Sequence, residues 1–207
     1  MKVNKNERIK NRYNRISGIY EFMDRMIKDK WRQDLLSHVS GKVLEVGIGT
    51  GANLPHYPSD ILSLTGVDFS KGMLKHATEK VSRGNLLFPI ELIEADIQDL
   101  PFPDHTFDSI VSTCVFCSVP DPIKGLKELR RVCKPTGKIY MLEHMRSDNK
   151  LMGLAMDMMN PITVKLWGAN INRETLKNIR ISELKIETEL PLISSIFKEL
   201  SIRPNKK

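Results

Sequence analysis

Apolar and polar positions alternate along residues 42–145 with two different periods. Short β-branched or alternating runs predict five strands, at 42–46, 62–68, 90–94, 107–113 and 138–143. Helical patterns separate them; one predicted helix is capped by Ser70 and ends near residue 81, and another is capped by Asp121 and ends near residue 133. Strands that alternate with helices indicate a parallel sheet built from βα units.

The regular alternation stops after residue 145. Residues 151–167 are rich in methionine and contain Pro161, and Asn172 is a candidate cap for a short helix that starts at Arg173. Two closing strands are predicted at 184–190 and 196–202, and their tight connection makes them antiparallel. The predicted fold is a single Rossmann-like, doubly wound α/β domain with a seven-stranded sheet and an antiparallel C-terminal hairpin at one edge.

An apolar face precedes this domain. Apolar residues recur at spacings of three and four along residues 9–27, at Ile9, Tyr13, Ile16, Tyr20, Met23 and Ile27. This periodicity fits either plain core packing or a lid whose tyrosines are aimed into a pocket. We expect residues 1–40 to form an N-terminal helical lid on the domain at 41–207, with 146–172 as a second lid insertion on the substrate side.

Composition excludes several classes of protein. The chain has 207 residues, of which 41% are hydrophobic and 28% charged, so it is neither collagen-like nor wholly disordered. Three cysteines are too few for a disulfide scaffold, and no apolar run approaches the length of a membrane span. Without a secretory signal the expected location is cytoplasmic, although the net charge of +7 is concentrated near the N-terminus and leaves peripheral contact with an anionic membrane open.

A glycine-rich turn follows the first strand. Gly47, Gly49 and Ala52 fit the dinucleotide fingerprint G-x-G-x-x-G/A, and Asp68 lies 21 residues after Gly47, where a carboxylate can accept ribose hydroxyls. The turn therefore fits NAD as well as S-adenosylmethionine. Glu45 favours the second ligand, because a carboxylate there is unhelpful near a pyrophosphate but suits a sulfonium and an ammonium group.

Five spaced motifs together resemble one family. They are Glu45–Gly51, Asp68-Phe69-Ser70, Leu100-Pro101-Phe102, Phe107-Asp108 and Arg131–Gly137. With them the chain resembles the class I S-adenosylmethionine-dependent methyltransferases of the type 11 group, apart from Cys133 and Thr136. The resemblance implies that S-adenosyl-L-methionine is the cofactor, held by Glu45, Gly47, Gly49, Gly51, Asp68, Phe69, Met73, Asp96, Ile97, Thr113 and Cys114.

Two subgroups of the family are similar to different parts of the chain. Residues 13–23 are similar to the start of phospholipid N-methyltransferases and quinone C-methyltransferases. Residues 114–119, 141–145 and 168–175 are similar to methyltransferase-like thiol S-methyltransferases. These resemblances imply a small apolar or lipid-like methyl acceptor, with a thiol or amine head group ahead of a quinone carbon.

Candidate residues for the acceptor side remain few. His144 could orient the acceptor or act as a base, Tyr20 is a second catalytic candidate, and the expected acceptor contacts are Tyr13, Tyr20, Cys117, His144 and Trp167. No metal site is expected, because Cys114 and Cys117 lack a second ligand pair. The alternatives are an NAD-dependent oxidoreductase and a non-catalytic cofactor-binding module associated with RNA or membrane. A nucleic-acid substrate is disfavoured by the 6% content of aromatic residues.

Overall fold

A computed structural model describes residues 27–205 of the chain. The strands in this range are β1 (Lys42–Val46), β2 (Ser63–Asp68), β3 (Ile90–Glu94), β4 (Phe107–Thr113), β5 (Cys133–His144), β6 (Lys185–Ile193) and β7 (Phe197–Arg203). The α-helices are α1 (Asp29–Leu36), α2 (Lys71–Arg83), α3 (Pro122–Val132), α4 (Lys150–Trp167) and α5 (Thr175–Ile181), with a 3₁₀ turn at Leu54–His56. The predicted helical face at 9–23, with Tyr13 and Tyr20, lies outside the described residues.

The seven strands form one sheet in the order β3-β2-β1-β4-β5-β7-β6. Strands β1 to β5 are parallel to one another, and β7 is antiparallel to both β5 and β6. The predicted fold, including the antiparallel hairpin at one edge, is confirmed. Because the strand order reverses between β1 and β4, a crevice opens there at the carboxyl ends of the strands.

Buried apolar clusters cover both faces of the sheet. The central strands β1 and β4 are almost continuously buried, as expected for parallel strands that are covered on both sides. On one face, the packing partners come from α3 and α5. On the other face they come from α1 and the region around the 3₁₀ turn. Along β5, successive side chains alternate between these two faces, which separates Glu143 from His144.

Two local predictions were wrong. Strand β5 begins at Cys133 instead of residue 138, and the expected turn is an irregularity inside the strand, where pairing shifts between Phe107 and Ser109. Helix α5 begins at Thr175 and is not capped by Asn172. The Asn172 amide donates instead to the Asp157 carboxylate of α4 at 3.0 Å, so a tertiary contact takes the side chain that the local pattern assigned to the cap.

The methionine-rich segment is the single helix α4. The Asn149 side chain caps it by accepting from the amides of Leu151 and Met152, and it ends at Gly168, whose φ is +78°. Pro161 lies inside the helix. Among residues 27–205, no helix is long and apolar enough to cross a membrane.

Candidate cofactor and acceptor site

A cleft of about 750 Å³, its open mouth included, lies at the carboxyl ends of β1 to β4. Nine of the eleven predicted cofactor residues line it: Gly47, Gly49, Asp68, Phe69, Met73, Asp96, Ile97, Thr113 and Cys114. Four separate chain segments therefore place the family's motif residues along one surface.

The three glycines of the turn after β1 all have positive φ, but their surroundings differ. A Cβ on Gly47 would lie 2.5 Å from a Val115 methyl group, and one on Gly51 would lie 2.6 Å from Leu54. These two glycines therefore permit packing within the protein. A Cβ on Gly49 would have only the Gly47 carbonyl near it, at 3.8 Å, and Gly49 lines the cleft. The backbone at Gly49 is the part of the turn that a ligand can approach closely.

Asp68 ends β2 and fixes the turn. Its carboxylate accepts from the Gly49 amide at 3.0 Å and from the Ser70 amide at 2.8 Å. The side chain is only 7% exposed, and this burial raises its pKa to about 6, although the amide donors act in the opposite direction. Each carboxylate oxygen has more than one acceptor position, so the group can hold these amides and still accept hydroxyl groups from the cleft.

Asp96 follows β3 and lines the same cleft as Asp68. Its carboxylate accepts from both the backbone amide and the side-chain amide of Gln98, at 2.9 to 3.0 Å. The Gln98 side-chain oxygen in turn accepts from the Asp121 amide at 3.0 Å. Gln98, which sequence reasoning missed, thus fixes the carboxylate that was predicted to accept from the adenine amino group. Nothing in the local pattern distinguishes it from a surface glutamine.

Apolar groups line the same cleft as these two carboxylates. Met73, in the first turn of α2, is almost fully buried and lines the cleft beside Phe69 and Ile97. The Ser70 hydroxyl accepts from the Met73 amide at 3.2 Å, so the predicted helix cap is formed and sets the position of this methionine. An apolar lining of this kind, with a few polar groups beside it, suits an aromatic or purine ring.

Glu45 and Gly51 do not line the cleft. Glu45 is 2% exposed and lies in a buried polar network on the α1 face, where it accepts from Asn53 at 2.7 Å and from the Tyr57 hydroxyl at 2.9 Å. Burial beside this carboxylate raises the pKa of Tyr57 well above its usual value. Asn53 also accepts from Arg32 at 2.6 Å and donates to Thr113 at 3.0 Å. Through Asn53, Glu45 therefore stabilises the turn and the end of β4 on the α1 face of the sheet.

The two cysteines after β4 differ in position. Cys114 lines the cleft and has a φ of +54°, an unusual conformation for a residue with a side chain. Cys117 is buried away from the cleft lining, its thiol donates to the Cys114 carbonyl at 3.3 Å, and burial raises its pKa to about 12. The expected acceptor contact at Cys117 has no support, because a buried thiol bonded to the backbone does not face the cleft. Within residues 27–205, no cluster of His, Cys, Asp or Glu could hold a metal ion.

Glu143 was not singled out from the sequence, yet it organises the segment after β4. Its Oε1 accepts from the Ser112 hydroxyl at 2.9 Å and from the amides of Val115 and Phe116 at 3.0 and 3.3 Å. Its Oε2 is fully buried and has no hydrogen-bond partner. Burial is the main reason that its pKa is raised to about 7. The sequence signal that could have indicated this role is an acidic residue inside an otherwise apolar strand.

His144 ends β5 and is half-buried on the α1 face, the face that also carries Glu45 and Thr113. Burial lowers its pKa, so its imidazole is neutral at neutral pH. It does not line the cleft but follows Leu142, whose carbonyl accepts from the Cys114 amide at 2.8 Å. Trp167 is the last residue of α4. The structure thus places His144 at the end of β5 on the α1 face of the sheet, outside the cleft lining.

Comparison with known proteins agrees with this geometry. The methyltransferase domain family matches residues 44–141. A phosphatidylethanolamine N-methyltransferase from Cereibacter sphaeroides is 39% identical over 134 residues, which cover 63% of this chain and 66% of that protein. A ubiquinone/menaquinone biosynthesis C-methyltransferase from Geotalea daltonii is 33% identical over 151 residues, which cover 67% of this chain and 64% of that protein. The chain thus matches just under two thirds of the length of these relatives.

A doubly wound sheet with a glycine turn after β1 and carboxylates at the ends of the next two strands defines a Rossmann-like cofactor-binding fold. The chain belongs to the class I S-adenosylmethionine-dependent methyltransferase family, whose methyl donor is S-adenosylmethionine. The crystal structure of the cyclase SpnF has a TM-score of 0.70 over 84% of this chain and 78% of the cyclase, at 17% identity, and shows the fold alone. Family membership decides against the NAD interpretation.

Proposed function

We propose that this protein binds S-adenosylmethionine in the cleft and transfers its methyl group to the amine head group of a phospholipid-like amphiphile. The observation that carries the amine acceptor is the 39% identity to a phosphatidylethanolamine N-methyltransferase. The arrangement of Gly49, Asp68 and Asp96 supports the cofactor, because an open backbone approach and two carboxylates occur where the family's motifs need them.

The residues of this chain would act mainly by positioning. A bound S-adenosylmethionine supplies an activated methyl group, and transfer requires the acceptor atom to lie in line with the methyl carbon and the sulfur. Asp68 would accept the ribose hydroxyls, and Asp96, held by Gln98, would accept the adenine amino group. Met73 and Ile97 would enclose the ring, while Thr113 and Cys114 would face the methionine portion.

An amine acceptor also has to lose a proton. The head group of phosphatidylethanolamine carries an ammonium ion at neutral pH, and only the free amine is a nucleophile. His144 is the candidate base in the described part of the chain, since burial lowers its pKa and it comes two residues after Leu142, whose carbonyl accepts from the amide of Cys114 in the cleft lining. Tyr13, Tyr20 and Trp167 stay candidate acceptor contacts, and residues 1–40 and 146–172 stay candidate lids.

Two other acceptors follow from specific observations. The relative at 33% identity is a quinone C-methyltransferase, which favours a quinone carbon as the second candidate. An alkyl thiol is the third candidate, because residues 114–119, 141–145 and 168–175 are similar to thiol S-methyltransferases. We propose that the protein lies in the cytoplasm and that it binds its acceptor at a membrane surface.

A parallel transfer assay separates these acceptors. The purified full chain is incubated with methyl-labelled S-adenosylmethionine and, in separate reactions, phosphatidylethanolamine vesicles, a demethylated quinone and an alkyl thiol. We expect label in the methylated phospholipid, and we expect Gly49→Val, which fills the cleft, to remove it. Label in the quinone or thiol alone would contradict the amine acceptor. Binding of the donor without transfer to any acceptor would favour a non-catalytic cofactor-binding module.

A further inference from the structure

Helix α4 has a polar inner face. The residues that it turns toward the protein include Gly153, Met156, Asp157, Asn160 and Thr163. Arg146 forms a salt bridge with the Asp157 carboxylate at 2.9 Å, and the Asn160 side-chain oxygen accepts from the Ile171 amide at 3.0 Å. These bonds, together with that from Asn172 to Asp157, hold the helix against the domain through polar contacts instead of an apolar core.

The outer face of α4 is apolar. Seven large apolar side chains on it are between 50% and 81% exposed: Leu151, Met152, Leu154, Met158, Met159, Ile162 and Leu166. With 100° between successive residues, the exposed positions of the helix cover a continuous arc of about 200°. A surface helix normally has the opposite arrangement, and a contiguous apolar surface of this kind marks an interaction site.

The charged residues of α4 indicate what kind of partner its outer face would bind. The charged residues on the exposed face of α4 are Lys150 and Lys165, and the one carboxylate of the helix, Asp157, is paired on the inner face. If two copies paired antiparallel through α4, Lys150 of one copy would lie opposite Lys165 of the other. A second copy therefore brings like charges together, whereas an anionic surface is complementary to both ends of the helix.

We propose that the outer face of α4, defined by the seven large apolar residues together with Lys150 and Lys165, binds the surface of an anionic lipid bilayer with the helix lying in the plane of the interface. Four of the nine side chains at or beside this face are leucine or isoleucine and three are methionine, whose unbranched chain adapts to irregular apolar surroundings. A helix with a large apolar face flanked by lysines is the type that lies in the interface without crossing it.

The same helix is connected to the cleft. Asn160 of α4 and Asn170 are hydrogen-bonded to each other at 3.3 Å, and the Asn170 backbone and side-chain amides both donate to the Cys117 carbonyl, at 2.8 and 3.0 Å. Cys117 lies between Cys114 and Ser118, which line the cleft. A bilayer against α4 would therefore lie close to the acceptor side of the cleft. Lipid binding itself does not depend on the reaction proposed above.

Vesicle sedimentation of the full chain tests the proposal. We expect the wild-type protein to sediment with vesicles of phosphatidylcholine and phosphatidylglycerol and much less with phosphatidylcholine alone. The double variant Met158→Glu/Ile162→Glu should weaken the partition by about tenfold or more, because it places two carboxylates on the face that meets the lipid. Lys150→Gln/Lys165→Gln should remove most of the preference for the anionic lipid.

The control variant is Leu87→Glu, which replaces a side chain that is 78% exposed and lies before β3, far along the chain from α4. It should sediment like the wild type. Circular dichroism and S-adenosylmethionine titration confirm that each variant is folded, so that loss of lipid binding is distinguished from loss of the cofactor site. Unchanged sedimentation of Met158→Glu/Ile162→Glu would overturn the proposal and assign any binding to another surface, such as the basic N-terminal residues. A dimer in sizing that this variant dissociates would overturn it in favour of a second copy.

Discussion

Replacing Asp68 with alanine tests the cofactor site most specifically. Asp68 is 7% exposed, and its carboxylate accepts from the amides of Gly49 and Ser70. In the variant the ribose hydroxyls of the donor would lose a charged acceptor at a buried position of the cleft lining. An unsatisfied group in such a place costs about 1–3 kcal/mol, so we expect the dissociation constant for S-adenosylmethionine to rise by about 5- to 150-fold.

Isothermal titration of the full chain with S-adenosylmethionine measures this change. Asp108→Ala is a matched control, since Asp108 also accepts from a backbone amide, that of Lys42 at 2.9 Å, but does not line the cleft. We expect Asp108→Ala to bind the donor as the wild type does. If Asp68→Ala binds within twofold of the wild type, or if both variants lose affinity equally, the reasoning is refuted: Asp68 does not then contact the ligand.

Three further predictions follow from other residues. Gly49→Ala and Gly47→Ala each place a Cβ at a positive φ, so both should lower the melting temperature, but Gly47→Ala should lower it more, because its Cβ would also collide with Val115. Gly49→Val should in addition abolish donor binding, because Gly49 lines the cleft. Titration and thermal unfolding compare the variants, and normal donor binding by Gly49→Val would show that the turn does not face the ligand. The pKa values of Glu143 and Asp68 are raised to about 7 and about 6, so the folded protein holds protons that the unfolded chain releases. The free energy of unfolding should therefore fall as pH rises from about 4 to about 7, by at most about 3 kcal/mol per group. Glu143→Gln should flatten this slope in denaturant titrations, and an unchanged slope would contradict the assignment. His144→Ala should lower the rate of methyl transfer to an amine and remove the acidic limb of its pH profile while the donor still binds; an unchanged profile would exclude His144 as the base.

Local signals predicted the parts of the fold that depend on local chemistry. The bounds of β1, β3 and β4 are those expected, and the side-chain caps of α2 and α3 form at Ser70 and Asp121. The glycine turn and the carboxylates at Asp68 and Asp96 were found because each follows directly from the end of a strand. The motif residues therefore predicted the position of the cleft.

The remaining features depend on contacts between distant residues. The irregular start of β5 accompanies the bond between Lys134 and Asp108, at 2.7 Å, 26 residues apart in the chain. The amide of Asn172 is used by Asp157, which no local pattern indicates. Gln98 and Glu143 act on the cleft through neighbours that only the folded chain supplies. The sequence also could not predict that the apolar face of α4 is exposed, because its periodicity is the same whether the face is buried or exposed.

The most direct test of the cofactor site is a crystal structure of the full chain soaked with S-adenosylmethionine. The account predicts density along the cleft, with the ribose at Asp68, the adenine between Met73 and Ile97 with its amino group at Asp96, and the methionine portion toward Thr113. A ligand lodged at another surface, or a cleft left without density at a donor concentration that saturates methyl transfer, would contradict it.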